Sequence, residues 1–221
     1  MRDVLRSTAG HGLDTHPSPT TATLLVGLEG MPADALVTRS RTYTIPGDAT
    51  SPVGLGVDGL PIETLPAPGT EVVVPLPEGL DAYRVNLICA NPGEAASSGT
   101  ITMTDRERAT LRTLDLEVPG RGLHEWLDVT AGIEQRAAIA AFSWAGSPLA
   151  CSASVVDIAS GDPTHTPARA LDPWEEDLLV PVVARTSTGA DFGWRTGLAV
   201  VGDTPSIDLF VEFPPYGTAG E

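Results

Sequence analysis

The chain contains no lysine: all 13 basic residues among its 221 are arginine, and set against 29 Asp and Glu they leave a formal net charge of −16. Such a balance argues against nucleic acid, since little is available to neutralise phosphates, and it disfavours anionic membrane surfaces. No stretch approaches the roughly 18 apolar residues of a transmembrane helix. Met1-Arg-Asp-Val-Leu-Arg6 lacks the apolar core of a signal peptide, so the sequence as it stands carries no export signal. Reactive signatures are missing too. There is no Gly-x-Ser-x-Gly elbow, and no cysteine has a histidine in a catalytic sequence context. Gly54, Gly56 and Gly59 lack the strand-to-helix setting and the Lys of a phosphate loop. The spaced Asp-x-Asp-x-Asp run of a calcium loop is likewise absent.

What is abundant is punctuation. Twenty Pro and 23 Gly are spread along a chain of ordinary apolar content, 42%, as expected of many short elements joined by turns. Tyr83–Gly93 is the clearest element, a strand that ends in a turn: Val85, Leu87 and Cys89 fall on one face and Arg84, Asn86 and Ile88 on the other, the period-2 pattern of a half-buried strand. Asn91-Pro92-Gly93 stops it, because Pro fixes φ and Gly tolerates positive φ. Further strands are expected over 21–28, 35–45, 71–76, 99–104, 109–118, 137–144, 149–158, 178–184, 194–201 and 206–213. Short helical turns are expected at 3–9 and 123–131, irregular edge structure at 46–68, and a polar linker within 160–177. About a dozen strands at short spacing indicate an all-β fold: two immunoglobulin-like or jelly-roll-like antiparallel β-sandwiches with two short helical turns.

The strands recur in order. Leu123–Gly132 overlays Met1–Gly10, with Leu5/Leu127, Thr8/Thr130, Ala9/Ala131 and Gly10/Gly132 identical. Each copy continues through an apolar strand, a Gly-x-Pro turn (Gly30/Pro32, Gly146/Pro148), an alternating strand and Gly-Asp (Gly47-Asp48, Gly161-Asp162). Val74-Pro75 precedes Arg84 as Val180-Pro181 precedes Arg195. A unit of about 110 residues that opens and closes in mid-unit predicts a contiguous sandwich over 71–167. A linker over 168–177 would follow, with a second sandwich assembled from 1–68 and 178–221.

These same residues carry a resemblance. Val180-Pro-Val-Val followed by Phe192-Gly-Trp-Arg-Thr-Gly-Leu198, Tyr83-Arg-Val-Asn-Leu followed by Asn91-Pro-Gly, and Ser40-Arg-Thr-Tyr43 resemble β-sandwich repeat modules of large uncharacterised bacterial surface or secreted proteins. The chain departs from that pattern in having no Asn-Pro-Gly after Trp194 and no aromatic-Trp pair before Arg84. The resemblance implies a sandwich fold and an extracellular or cell-surface parent protein, and it implies no activity.

The chemistry-bearing residues are few. Cys89 and Cys151, each on an apolar face, form a disulfide suited to an exported protein or stay as two buried thiols; the sequence leaves both open. His11, Asp14 and His16 share one loop, with His124 and His165 distant, short of the convergent set zinc requires, so neither metal nor cofactor is expected. Glu175-Glu-Asp177 reads as solvated, and Asp115 and Glu117 as exposed strand charges. Arg39, Arg41, Arg84 and Arg195 stand beside aromatics on strands, where a guanidinium can stack or hold a carboxylate. The reading is a non-catalytic structural or ligand-binding module, its speculative ligand residues being Trp126, Trp174, Trp194, Arg84 and Arg195. A carbohydrate-binding accessory module is the alternative, those tryptophans serving as platforms; a glycan-active enzyme comes third. Partners would be other protein modules or glycans, with no membrane insertion, the chain being a monomer or an edge-paired dimer.

Overall fold

A computed structural model describes residues 39–44, 53–77, 82–133, 137, 139–159, 161 and 163–170, and these form three antiparallel sheets. The smallest is a hairpin of β1 (Arg39–Thr44) and β2 (Val53–Asp58). After one 3-10 turn at Ile62–Thr64, β3 (Val72–Pro75), β4 (Tyr83–Ala90), β5 (Ser97–Thr104), β6 (Thr110–Val118), β7 (Leu123–Trp126), β8 (Ile139–Ala145), β9 (Ala150–Asp157), β10 (Pro163–Pro167) and β11 (Arg169–Ala170) follow. They build a four-stranded sheet ordered β10-β9-β4-β7 and a five-stranded sheet ordered β11-β3-β8-β5-β6.

One hydrophobic cluster draws on both sheets. The four-stranded sheet contributes Val85, Leu87, Cys89, Cys151 and Ala153; the five-stranded sheet contributes Val72, Val74, Ile101, Met103, Leu116, Val118, Ala140, Phe142 and Trp144. Each set is spaced by two, because successive side chains of a strand point to opposite faces. On β4 and β8 the alternation of buried and more exposed residues is regular. The outward residues of the five-stranded sheet on β5 and β6, among them Ser98, Thr100, Thr113, Asp115 and Glu117, are exposed.

Several sequence expectations need correction. Leu123–Trp126 is a strand, and the expected helix over 123–131 does not form. Its backbone is taken by the β4 ladder, Leu87 lying opposite Trp126 and Ala90 opposite Leu123, and Asp128 at φ 49° cannot continue a right-handed helix. The stretch 46–68 is more regular than expected, since Val53–Asp58 pairs fully with β1. The polar stretch after Ser160 is also structured: β10 pairs with β9, and β11, inside the expected linker 168–177, pairs with β3. Polar composition misled here because both are edge strands, where Pro and Thr are tolerated. Cys89 and Cys151 are bonded, with Cα atoms 4.1 Å apart. They sit directly opposite each other on β4 and β9, so the bridge lies within one sheet and does not link the two. The helical turn at 3–9, the strands over 21–28, 178–184, 194–201 and 206–213, and the His11, Asp14, His16 and Glu175–Asp177 groups lie outside the described residues.

Candidate functional site

Three places gather polar chemistry, and each is built from the strand pattern. The first is the seam where β6, an edge of the five-stranded sheet, runs beside β7, an edge of the four-stranded one. His124 and Trp126 are two apart on β7, opposite the core residues Cys89 and Leu87, so both rings leave the strand on its inner side. The rings stack with centroids 4.3 Å apart and planes 8° from parallel. Trp126 Nε1 donates to the Asp115 carbonyl at 3.1 Å, and His124 Nδ1 lies 2.8 Å from the Glu117 carbonyl. On the same inner row of β6, Arg112 reaches the carbonyls of Val129 and Ala131 in the turn after β7. Side chains thus occupy edge carbonyls that would otherwise invite another strand. Trp126 is half-buried and engaged through both its N–H and one ring face.

The second place is a buried knot at the end of β4. Asn91, 1% exposed, donates through Nδ2 to the Ala95 carbonyl at 2.8 Å, with Ser97 Oγ and the Val118 carbonyl each at 3.4 Å. Its Oδ1 accepts from the Gly93 N–H. Ser97 and Ser147 exchange hydrogen bonds, and Trp144 Nε1 donates to the Ser147 carbonyl at 3.0 Å. The fit is close: a Cβ on Gly93 would stand 2.4 Å from Ser147 Oγ, and Gly146, at φ 112°, would put one 2.4 Å from the Ala96 carbonyl. The asparagine of Asn-Pro-Gly therefore ties its own loop to the end of β6, with the β8–β9 turn joined through Ser97 and Ala95, a role that alternation along one strand does not disclose.

The third is an open cleft of about 290 Å³ between Tyr83, Ile133, Ile158 and the turn carrying Asp128, Thr130 and Gly132. This is just under the roughly 300–1,000 Å³ of ordinary ligand pockets. Among the described residues no group of three or more His, Cys, Asp or Glu converges as a metal site, and no helix is long and apolar enough to cross a membrane.

The sequence-nominated residues are not brought together. Arg84 is exposed on the outer face of β4, opposite Val156, on the face away from Trp126. Arg39 and Arg41 lie on β1; Trp174, Trp194 and Arg195 are outside the described residues. Trp144, which sequence reasoning did not nominate, belongs to the core. His165 on β10 is half-buried; burial holds its imidazole below the ordinary 6.5, against a smaller opposing pull from the Asp58 carboxylate. No protein family, curated protein or solved structure matches this chain.

Proposed function

We propose that the chain is a non-catalytic β-sandwich protein, a structural or ligand-binding module of a bacterial surface or secreted assembly. The observation that carries this reading is how fully its chemically versatile side chains serve the fold. The two cysteines form a buried disulfide, a bond that persists in oxidising compartments. His124, Trp126 and Arg112 close the seam, and Asn91, Ser97 and Ser147 tie loops. The connectivity supports an immunoglobulin-like sandwich: β3 beside β8, β4 beside β9 and β10 beside β9 occupy the places of the B–E, C–F and F–G neighbours of that fold. β5, antiparallel beside β8, takes the place of the fourth strand, next to the fifth; β6 and β7 are then insertions between the fourth and fifth strands, and the disulfide stands elsewhere than the usual inter-sheet bridge.

The internal repeat has support of its own. The β1–β2 hairpin follows Gly30-x-Pro32 as the β9–β10 hairpin follows Gly146-x-Pro148, and both are antiparallel. A second unit assembled from 1–68 and 178–221 follows from this reading. Deleting 178–221 should leave 71–170 folded and make 1–68 protease-sensitive; an unaffected N-terminal segment refutes the second unit.

Glycan-array binding tests the function, with intact protein and with Trp126→Ala, Trp174→Ala and Trp194→Ala variants. A structural module gives no binding that the tryptophans control. Saccharide binding lost on one of these substitutions transfers the assignment to a carbohydrate-binding accessory module.

A further inference from the structure

The two flanks of the paired sheets differ. On one, β6 and β7 are joined by the rings of His124 and Trp126 and by Arg112, and the strand face beside them is polar and exposed, as at Thr100 and Asp115. The other flank is formed by β10 at the edge of the four-stranded sheet and by β11 and β3 at the edge of the five-stranded one. There the outward residues of β10 and β9 are half-buried or buried. Ser154, on the outer face of β9 between Asn86 and His165 in the cross-strand register, is only 8% exposed. His165 is desolvated enough to resist protonation. A solvated outer face would leave a serine and a histidine wet.

One described element lies against this flank. β2 comes within 8 Å of β10, Cα to Cα, without joining its ladder. Its Val57 is half-buried, and its Asp58 carboxylate acts on His165 with opposite charge. We propose that the β10 flank is an internal docking surface, whose occupant is the sheet of β1 and β2 from this same chain, with β2 laid along β10 and Asp58 facing His165. This rests on the two-unit reading above and adds to it the surface on which the units meet. The sealed β6–β7 flank leaves β10 as the side available to a neighbour.

Hydrogen exchange read by mass spectrometry on the full chain tests this, comparing Ser154→Arg with Thr100→Arg, the latter on an exposed outer face. The docked arrangement predicts that Ser154→Arg speeds exchange across Val53–Asp58 by about tenfold or more, the measure of a local opening made easier. Exchange in β4 and β8 should stay slow, and Thr100→Arg should change nothing. Should Ser154→Arg unfold the chain, His165→Asp sets like charges face to face without added bulk and must give the same selective rise. Unchanged exchange at Val53–Asp58 in a folded Ser154→Arg or His165→Asp protein overturns the docking surface and leaves the two-unit reading standing. Unprotected Val53–Asp58 amides in the unsubstituted chain overturn both. A dimer seen in sedimentation that Ser154→Arg dissociates gives the surface to a second copy, and also overturns the proposal.

Discussion

At the scale of single residues, Asn91 shows how much one side chain can hold. Its amide donates toward Ala95, Ser97 and Val118 while its carbonyl oxygen accepts from Gly93. Asn91→Ala should therefore cost roughly 2 to 3 kcal/mol, the price of buried partners left unmade. Asn91→Asp should cost at least as much at neutral pH, because a carboxylate turns an oxygen toward acceptors that had a donor. Denaturant midpoints of the two variants decide it; an aspartate variant as stable as the parent would show that the amide N–H group contributes nothing. His165 gives a second residue-scale expectation. Its folded pKa lies below the 6.5 of the unfolded chain, so the unfolded state takes up the proton first as pH falls. The stability it allows is intact well above 6.5, declines as pH drops below it, and levels off once folded His165 is also protonated. A melting-temperature series should show this decline steeper in the parent than in His165→Gln, and equal slopes would remove His165 as its source.

At the scale of elements, β6 depends on its neighbour for its outer edge. Trp126→Phe keeps the ring over His124 and removes only the N–H that reaches Asp115. It should cost about 1 kcal/mol and raise amide exchange in β6 and β7 more than in β4; a uniform rise would mean that the ring matters and the hydrogen bond does not. Elements of this kind also mark where the sequence stops being readable. Tyr83–Ala90 is plain from its residues because one face meets the core and the other does not, and the buried positions are those that alternation assigns. Leu123–Trp126 is not, because four residues are too few to separate a period of 2 from 3.6, and what fixes them is a ladder to β4, more than 30 residues earlier. β10 and β11 fail for a related reason: edge strands need little apolar surface, so Pro163-Thr-His-Thr-Pro167 reads as linker while pairing with β9. The knot around Asn91 was half legible. The turn was signalled by Pro92 and Gly93, whereas its partners at Val118 and Ser147 come from turns that only the folded chain brings together.

At the scale of the whole molecule, the Cys89–Cys151 bond closes a loop with a sequence separation of 62. By the chain-entropy estimate such a loop stabilises the fold by about 4 kcal/mol through the unfolded state. Both sulfurs belong to fully or nearly fully buried residues, Cys89 at 0% and Cys151 at 5% exposure, so reductant should act only after the sheets part. The expected result is a slow loss of the bond in native buffer and a fast one near the unfolding midpoint. A bond reduced within minutes under native conditions would mean that β4 and β9 separate readily.

That covalent rung has a mechanical meaning as well. Tension entering along β4 reaches Cys89 and crosses directly to Cys151 on β9, bypassing everything between them. β5, β6, β7 and β8 lie wholly inside this bypass, so a stretched chain can shed β3 and β10 while the enclosed strands carry no load. The hidden length, 62 residues at roughly 3.3 Å each when extended, is about 200 Å. Oxidised, the protein is a short tether with a sheltered centre; reduced, it becomes a longer and softer one.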